Sequence, residues 1–211
     1  MKYRLKQYQQ LKKLYILKAL GQRYIERAQE PSLAQDDQKE DLHSLRQKIL
    51  HCRFCERSKI QEPIFGILNT AARVVFVTPT PILDAKNQFL PNRSARMLQD
   101  ILTNVFGFDA REYGILSLLK CADTPITKEE FLQCQLHFFA QLQKMPHAMV
   151  LCFGGKEALD FFDLLDQNFF GKLIKLRDQR FLITYSLLDL LKNPSLKRET
   201  MQHLSLLKEA L

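Results

Sequence analysis

Hydrophobic and polar positions divide the chain into stretches of different period. Residues 1–28 supply an apolar stripe of Leu5, Leu11, Leu14, Ile16, Leu17, Leu20 and Ile25 with Lys and Arg on the other side, which predicts an amphipathic helix. Residues 31–40 are polar, carry Pro31 and turn acidic, as a linker does. A helix is expected over 41–51, with Leu42, Leu45, Ile49 and Leu50 on one side. From residue 73 the period changes. RVVFV (73–77), GILSLL (114–119) and HAMVLCF (147–153) are short apolar runs suited to strands buried on both faces. RFLITY (180–185) reads as a final core strand, and KLIKL (172–176) as an edge strand or hairpin arm with Asp178 in the turn. Helical periods fall between these runs, at 92–106, 127–144, 156–166 and 195–210. Asn92 or Ser94 can cap the first of them, and Thr127 with Glu130 forms a capping box for the second.

Strands that alternate with helices predict an α/β fold: a three-layer α/β/α sandwich around a mainly parallel four-stranded sheet, with an N-terminal helical extension. The expected units are a basic helix over 1–30, a linker over 31–40 and a domain over 41–211. Ligands of such sheets bind beyond the carboxyl ends of the strands, so chemistry is expected after residues 77, 119, 153 and 185.

Composition narrows the class. A chain of 211 residues, 46% hydrophobic and 26% charged, can bury a core without disulfides and is neither fibrous nor wholly disordered. No apolar run is long enough to span a bilayer. The first twenty residues carry five lysines and no apolar secretory core, so the expected location is cytoplasmic. The charge is uneven: residues 1–30 hold eight Lys or Arg against Glu26 and Glu30, +6 of the total +8. Lys12 and Lys13 sit in this stretch, with Tyr3, Tyr8, Tyr15 and Tyr24 among the cations. The pattern suits an acidic partner such as DNA or RNA, and equally a solvated helix face.

Cys52 and Cys55 form a C-x2-C pair, while Cys121 and Cys134 follow singly. Four thiolates suit zinc or an iron–sulfur cluster, and their spacing equally allows unrelated thiols. Cys152 lies inside MVLCF and reads as a core residue.

The blocks LHSLRQKILHCRFC, RVVFVTPTP, QFLPNRSARMLQDIL, GILSLLKC, TKEEFLQC, MVLCFGGKEAL and TYSLLDLLKNPSLK follow one another from residue 42 to residue 197. In order and content they resemble the family 4 uracil-DNA glycosylases, the thermophile and bacterial group that carries a [4Fe-4S] cluster. The resemblance implies that family's fold and a structural [4Fe-4S] cluster on Cys52, Cys55, Cys121 and Cys134, with zinc the less favoured occupant. It implies DNA as partner, with Arg93 and Lys192 at positions suited to phosphates, although either can be a plain surface charge. Phe89 matches the ring on which the family stacks the base, and core packing is its alternative.

The family's reactive positions are replaced. Its water-positioning Glu in GEAPG reads Pro79, its base-reading Asn in TNVVK reads Ser117, and its His in HPS reads Ser186. Proline offers no donor, and a serine hydroxyl is shorter than either Asn or His. Asp84 is the nearest carboxylate that could stand in for the Glu. Three functions follow as expectations. The first is a DNA-associated protein that lacks efficient uracil excision. The second is a glycosylase of altered base specificity, using Ser117, Ser186 or Asp84 in a rebuilt pocket, with Phe89 and Ser117 against the base. The third is a non-catalytic, protein-binding subunit of a replication or recombination assembly. A monomer is the default expectation.

Overall fold

The computed structural model describes residues 41–121, 127–164 and 169–211. The basic segment 1–30 with Lys12 and Lys13, and the linker 31–40, lie outside the described residues. Within them the order is α1 (Leu42–Leu50), β1 (Val74–Thr78), α2 (Arg93–Asp100), β2 (Tyr113–Ser117), α3 (Lys128–Gln143), β3 (Met149–Cys152), α4 (Gly155–Phe161), β4 (Leu173–Leu176), β5 (Gln179–Ile183), α5 (Leu187–Lys192) and α6 (Leu196–Glu209). A single helical turn, Arg57–Ile60, follows the C-x2-C pair.

The sheet runs β2-β1-β3-β5-β4. β1 pairs in parallel with β2 and β3, and β3 pairs in parallel with β5. These are the four parallel strands expected from the buried runs. The segment 172–176 adds a fifth as an antiparallel edge. Arg177 and Asp178 both take positive φ, 46° and 69°, the backbone that a tight two-residue hairpin demands.

All five residues of β1 are buried, and alternation divides them between two cores. Val75 and Val77 join Leu116, Phe131, Phe138, Cys152 and Phe181 beneath α3 and α4. Val74 and Phe76 join Leu98, Ile101, Phe106, Leu151 and Leu204 beneath α2 and α6. Helices thus cover both faces of the sheet. α1 packs Leu45 and Ile49 against Phe65 and Ala140.

Local signals set most boundaries. Asn92 caps α2 by accepting from the Ala95 amide at 2.8 Å. Thr127 and Glu130 close a reciprocal capping box on α3. The helix expected over 92–106 is α-helical only to Asp100 and continues as a π-helix over Ile101–Phe106, closed by Gly107. α4 stops at Phe161, and residues 165–168 lie outside the described residues. The short helix α5 was not among the expected elements, although Ser186 and Asp189 carry its capping box.

Gly66 takes φ +86°, and a Cβ there would collide with the Ile115 carbonyl oxygen, whose strand edge the 64–67 segment borders. Gly66→Ala is therefore expected to lower stability by about 1–3 kcal/mol, read as a lower midpoint in urea unfolding with an unchanged slope.

Candidate functional site

Parallel pairing puts the strand ends on one edge. Thr78 sits opposite Ser117, Val77 opposite Cys152, and Cys152 opposite Ile183. Pro79, Ser117 and Ser186, which follow or end these strands, therefore share the carboxyl edge where the reactive groups of this fold class gather. Their atoms are engaged in holding that edge together.

The β1–β2 ladder continues beyond the strands. Leu118 donates its amide to the Thr78 carbonyl at 2.9 Å, and Leu119 donates to the Pro79 carbonyl at 3.0 Å. Ser117 is 5% exposed. Beside it lies a cavity of about 10 Å³ lined by Ile64, Gly66, Pro81, Ile82, Leu83, Ile115, Leu116 and Ser117. That space is about the lower limit for one water and far below a ligand pocket. Ile82 and Leu83 are 5% and 2% exposed and belong to the core beneath α2. Branched apolar side chains thus fill the volume beside Ser117.

Ser186 is the N-cap of α5. Its Oγ accepts from the Asp189 amide at 3.1 Å and donates to Asp189 Oδ2 at 2.6 Å, while its own amide donates to the same carboxylate at 3.3 Å. Asp84 likewise serves the backbone. Its Oδ1 accepts from the amides of Lys86 and Gln88, each at 2.8 Å, and so folds the loop. Phe89 is half-buried, bridged through its backbone to Leu83 and packed on the same core. Arg93 opens α2 and Lys192 closes α5, and both are exposed.

A second site lies where the C-x2-C turn meets the end of the β2 loop and α3. The thiols of Cys55, Cys134 and Cys52 all act on Cys121. Burial first, and then their like charge, push the Cys121 thiol up to about 12, and a hydrogen bond joins it to Cys55. Cys134 is raised by burial, while the neighbouring Lys120 opposes the shift by its charge and by its backbone amide. All four cysteines are free. Among the described residues, no group of three or more His, Cys, Asp or Glu is gathered as a metal site. The four thiols share one neighbourhood. As a donor set, four soft sulfurs with no competing disulfide fit zinc or an iron–sulfur cluster. Cys152, by contrast, is fully buried in β3, and burial pushes its thiol up to about 12.

Two cations serve this neighbourhood, and neither was singled out in the sequence. Lys120 is 1% exposed. Its Nζ donates to the Ser117 carbonyl at 2.6 Å and lies 5.7 Å from the Phe138 ring centroid. Burial lowers its pKa to about 8, and the charges of Cys134 and Cys121 pull it the other way. Arg57 makes a two-pronged pair with Glu130, at 2.6 and 2.8 Å, which straps the turn after Cys55 to α3. That contact holds the Glu130 carboxyl below its usual range. A lysine directly before a cysteine was the available signal for Lys120.

The uracil DNA glycosylase superfamily profile matches residues 65–206, which include all five strands. The chain belongs to the uracil-DNA glycosylase superfamily. A type-4 uracil-DNA glycosylase of Archaeoglobus fulgidus is 26% identical over 136 residues, 62% of this chain and 68% of that protein. As a member of the superfamily, the chain keeps the sheet and the carboxyl edge but presents there a proline, a buried serine and a capping serine. No helix among the described residues is long and apolar enough to cross a membrane.

Because Ser186 caps α5, Ser186→Ala should lower stability by about 1 kcal/mol, and Ser186→Asn should restore much of it. Thermal or urea unfolding of the two variants checks this. Equal stability of Ser186→Ala and the parent would show that the hydroxyl does not hold the helix.

Proposed function

We propose that this superfamily member is a DNA-associated protein that retains an iron–sulfur scaffold and does not excise uracil efficiently. The observation that carries the second half is the strand edge beside Ser117, where Ile82 and Leu83 leave about 10 Å³. A glycosylase must extrude the base into a shaped pocket, read its polar edge and stabilise the leaving anion with donors. Proline at 79 supplies no side-chain donor, and the hydroxyl of Ser186 is spent on Asp189. Superfamily membership and the named activity of the Archaeoglobus relative support DNA as the partner. Arg93, Lys192 and the basic segment with Lys12 and Lys13 are the groups proposed to meet phosphates, which position a protein on DNA without reading sequence.

Cys52, Cys55, Cys121 and Cys134 are the proposed ligands of a [4Fe-4S] cluster, with zinc the less favoured occupant. Such a group, when bound, cross-links the segment after α1 to the β2 loop and α3. Lys120 and Arg57 place positive charge beside the anionic sulfurs. Burial and mutual repulsion raise the Cys121 and Cys134 thiols, so a metal would displace their protons on binding, with Lys120 opposing the shift at Cys134.

Two outcomes are expected. Anaerobically purified protein should be brown and carry iron and acid-labile sulfide in equal amounts. Cys134→Ser should lose both, and Cys152→Ala should lose neither. Colourless protein with stoichiometric zinc would replace the cluster while leaving the ligand set. Mixed in excess with a uracil-containing single strand, the protein should release uracil at a rate near background. The loss of one oxyanion-type donor alone costs roughly 100- to 1000-fold. Rapid single-turnover release would show that the edge opens and that the chain is a working glycosylase.

A further inference from the structure

On the α2–α6 side of the sheet, away from α3 and Cys134, lies a groove that shares only Arg93 with the proposed DNA contacts and nothing with the cluster. Its volume is about 440 Å³, within the range of ligand-binding clefts. α2 and its π-helical continuation form one wall, and α5 and α6 form the other. The floor is apolar, with Met97, Ile101, Leu190, Met201 and Leu204 among its residues. Met201 is 45% exposed, so this surface is open and not sealed by the fold.

The rim is charged in one sense. Arg93, Arg96 and Lys197 line the groove, against Asp100 as the single acid. None of the three cations takes part in an ion pair among the described residues. The combination selects its occupant. A nucleic-acid backbone would match the cations but gains nothing from a floor of thioethers and branched alkyl groups. A basic segment would match the floor but meet repulsion at the rim. An acidic segment with bulky apolar residues on one face satisfies both, and unbranched methionine adapts to such side chains. The π-helix along the wall is a rare conformation that tends to recur at functional sites.

We propose that this groove is a docking site for an acidic amphipathic peptide segment of a partner protein, its carboxylates on Arg96 and Lys197 and its apolar face on Met97 and Met201. The proposal does not depend on the thiol site or on the state of the strand edge.

The test uses the full chain and a fluorescein-labelled helical peptide with Leu and Phe at i, i+3, i+4 and i+7 and Asp or Glu elsewhere. A control peptide carries Lys at every acidic position. Anisotropy should show saturable binding of the acidic probe, weakened by salt, and no binding of the control. Arg96→Glu and Met201→Glu should each weaken the acidic probe by about tenfold, the effect of losing about 1.4 kcal/mol. Unchanged thermal unfolding of the variants confirms that the fold is intact. Absence of saturable binding, equal binding of the lysine control, or variants that bind like the parent would each overturn the proposal. So would displacement of the probe by a single-stranded oligonucleotide whose own affinity falls with the same substitutions, since the groove would then be a nucleic-acid surface.

Discussion

The parallel pairing of β1 with both β2 and β3 is the constraint on which everything else depends. A strand buried on both faces must be apolar nearly throughout, and β1 is buried at every position from Val74 to Thr78. Parallel neighbours then require crossovers, which place helices on both sides and align the strand ends on one edge. The fate of that edge is decided by the side chains that follow β1. Here they include Pro79, Pro81, Ile82 and Leu83, and the last two enter the core beneath α2 instead of bordering an opening. Core stability and pocket volume are thus in direct competition at these positions, and in this chain packing has won.

The thiol neighbourhood hangs from the same framework at its other side. Lys120 links the two: its ammonium holds the Ser117 carbonyl at the end of β2, while its charge acts on Cys121 and Cys134 and its backbone amide meets Cys134. A fully buried lysine is expensive unless it is hydrogen-bonded and opposed by negative charge. Here the hydrogen bond to Ser117 and the Phe138 ring supply part of that compensation, and burial still lowers the Lys120 pKa to about 8. The Arg57–Glu130 pair does a related job nearer the surface, fixing the turn that carries Cys55 to the first turn of α3.

Much of this fold was legible because its signals are local. The runs at 73–77, 114–119, 147–153 and 180–185 each hold a parallel strand, and Asn92 and Thr127 cap the helices that their positions announce. What escaped the sequence reading depends on tertiary placement. α5 has only six residues, too short for a helical period, and only the Ser186–Asp189 box betrays it. Asp84 reads from sequence as a solvated loop carboxylate, with chemistry the less favoured reading, and only the fold shows its two amide partners. The switch to a π-helix at Ile101 has no signal in residue type that we recognise. The reactive positions were legible as substitutions, but that Ile82 and Leu83 turn inward and fill the edge is a fact of packing that spacing does not encode.

The central proposal is that no base is read at the strand edge, and affinity tests it more directly than turnover. Two fluorescent single strands that differ only in uracil against thymine at one position should, on this proposal, be bound equally by the full chain at every salt concentration, because phosphates dominate and the space beside Ser117 is about 10 Å³. A reproducible preference for the uracil strand would contradict the account, since it requires a pocket that distinguishes the two bases.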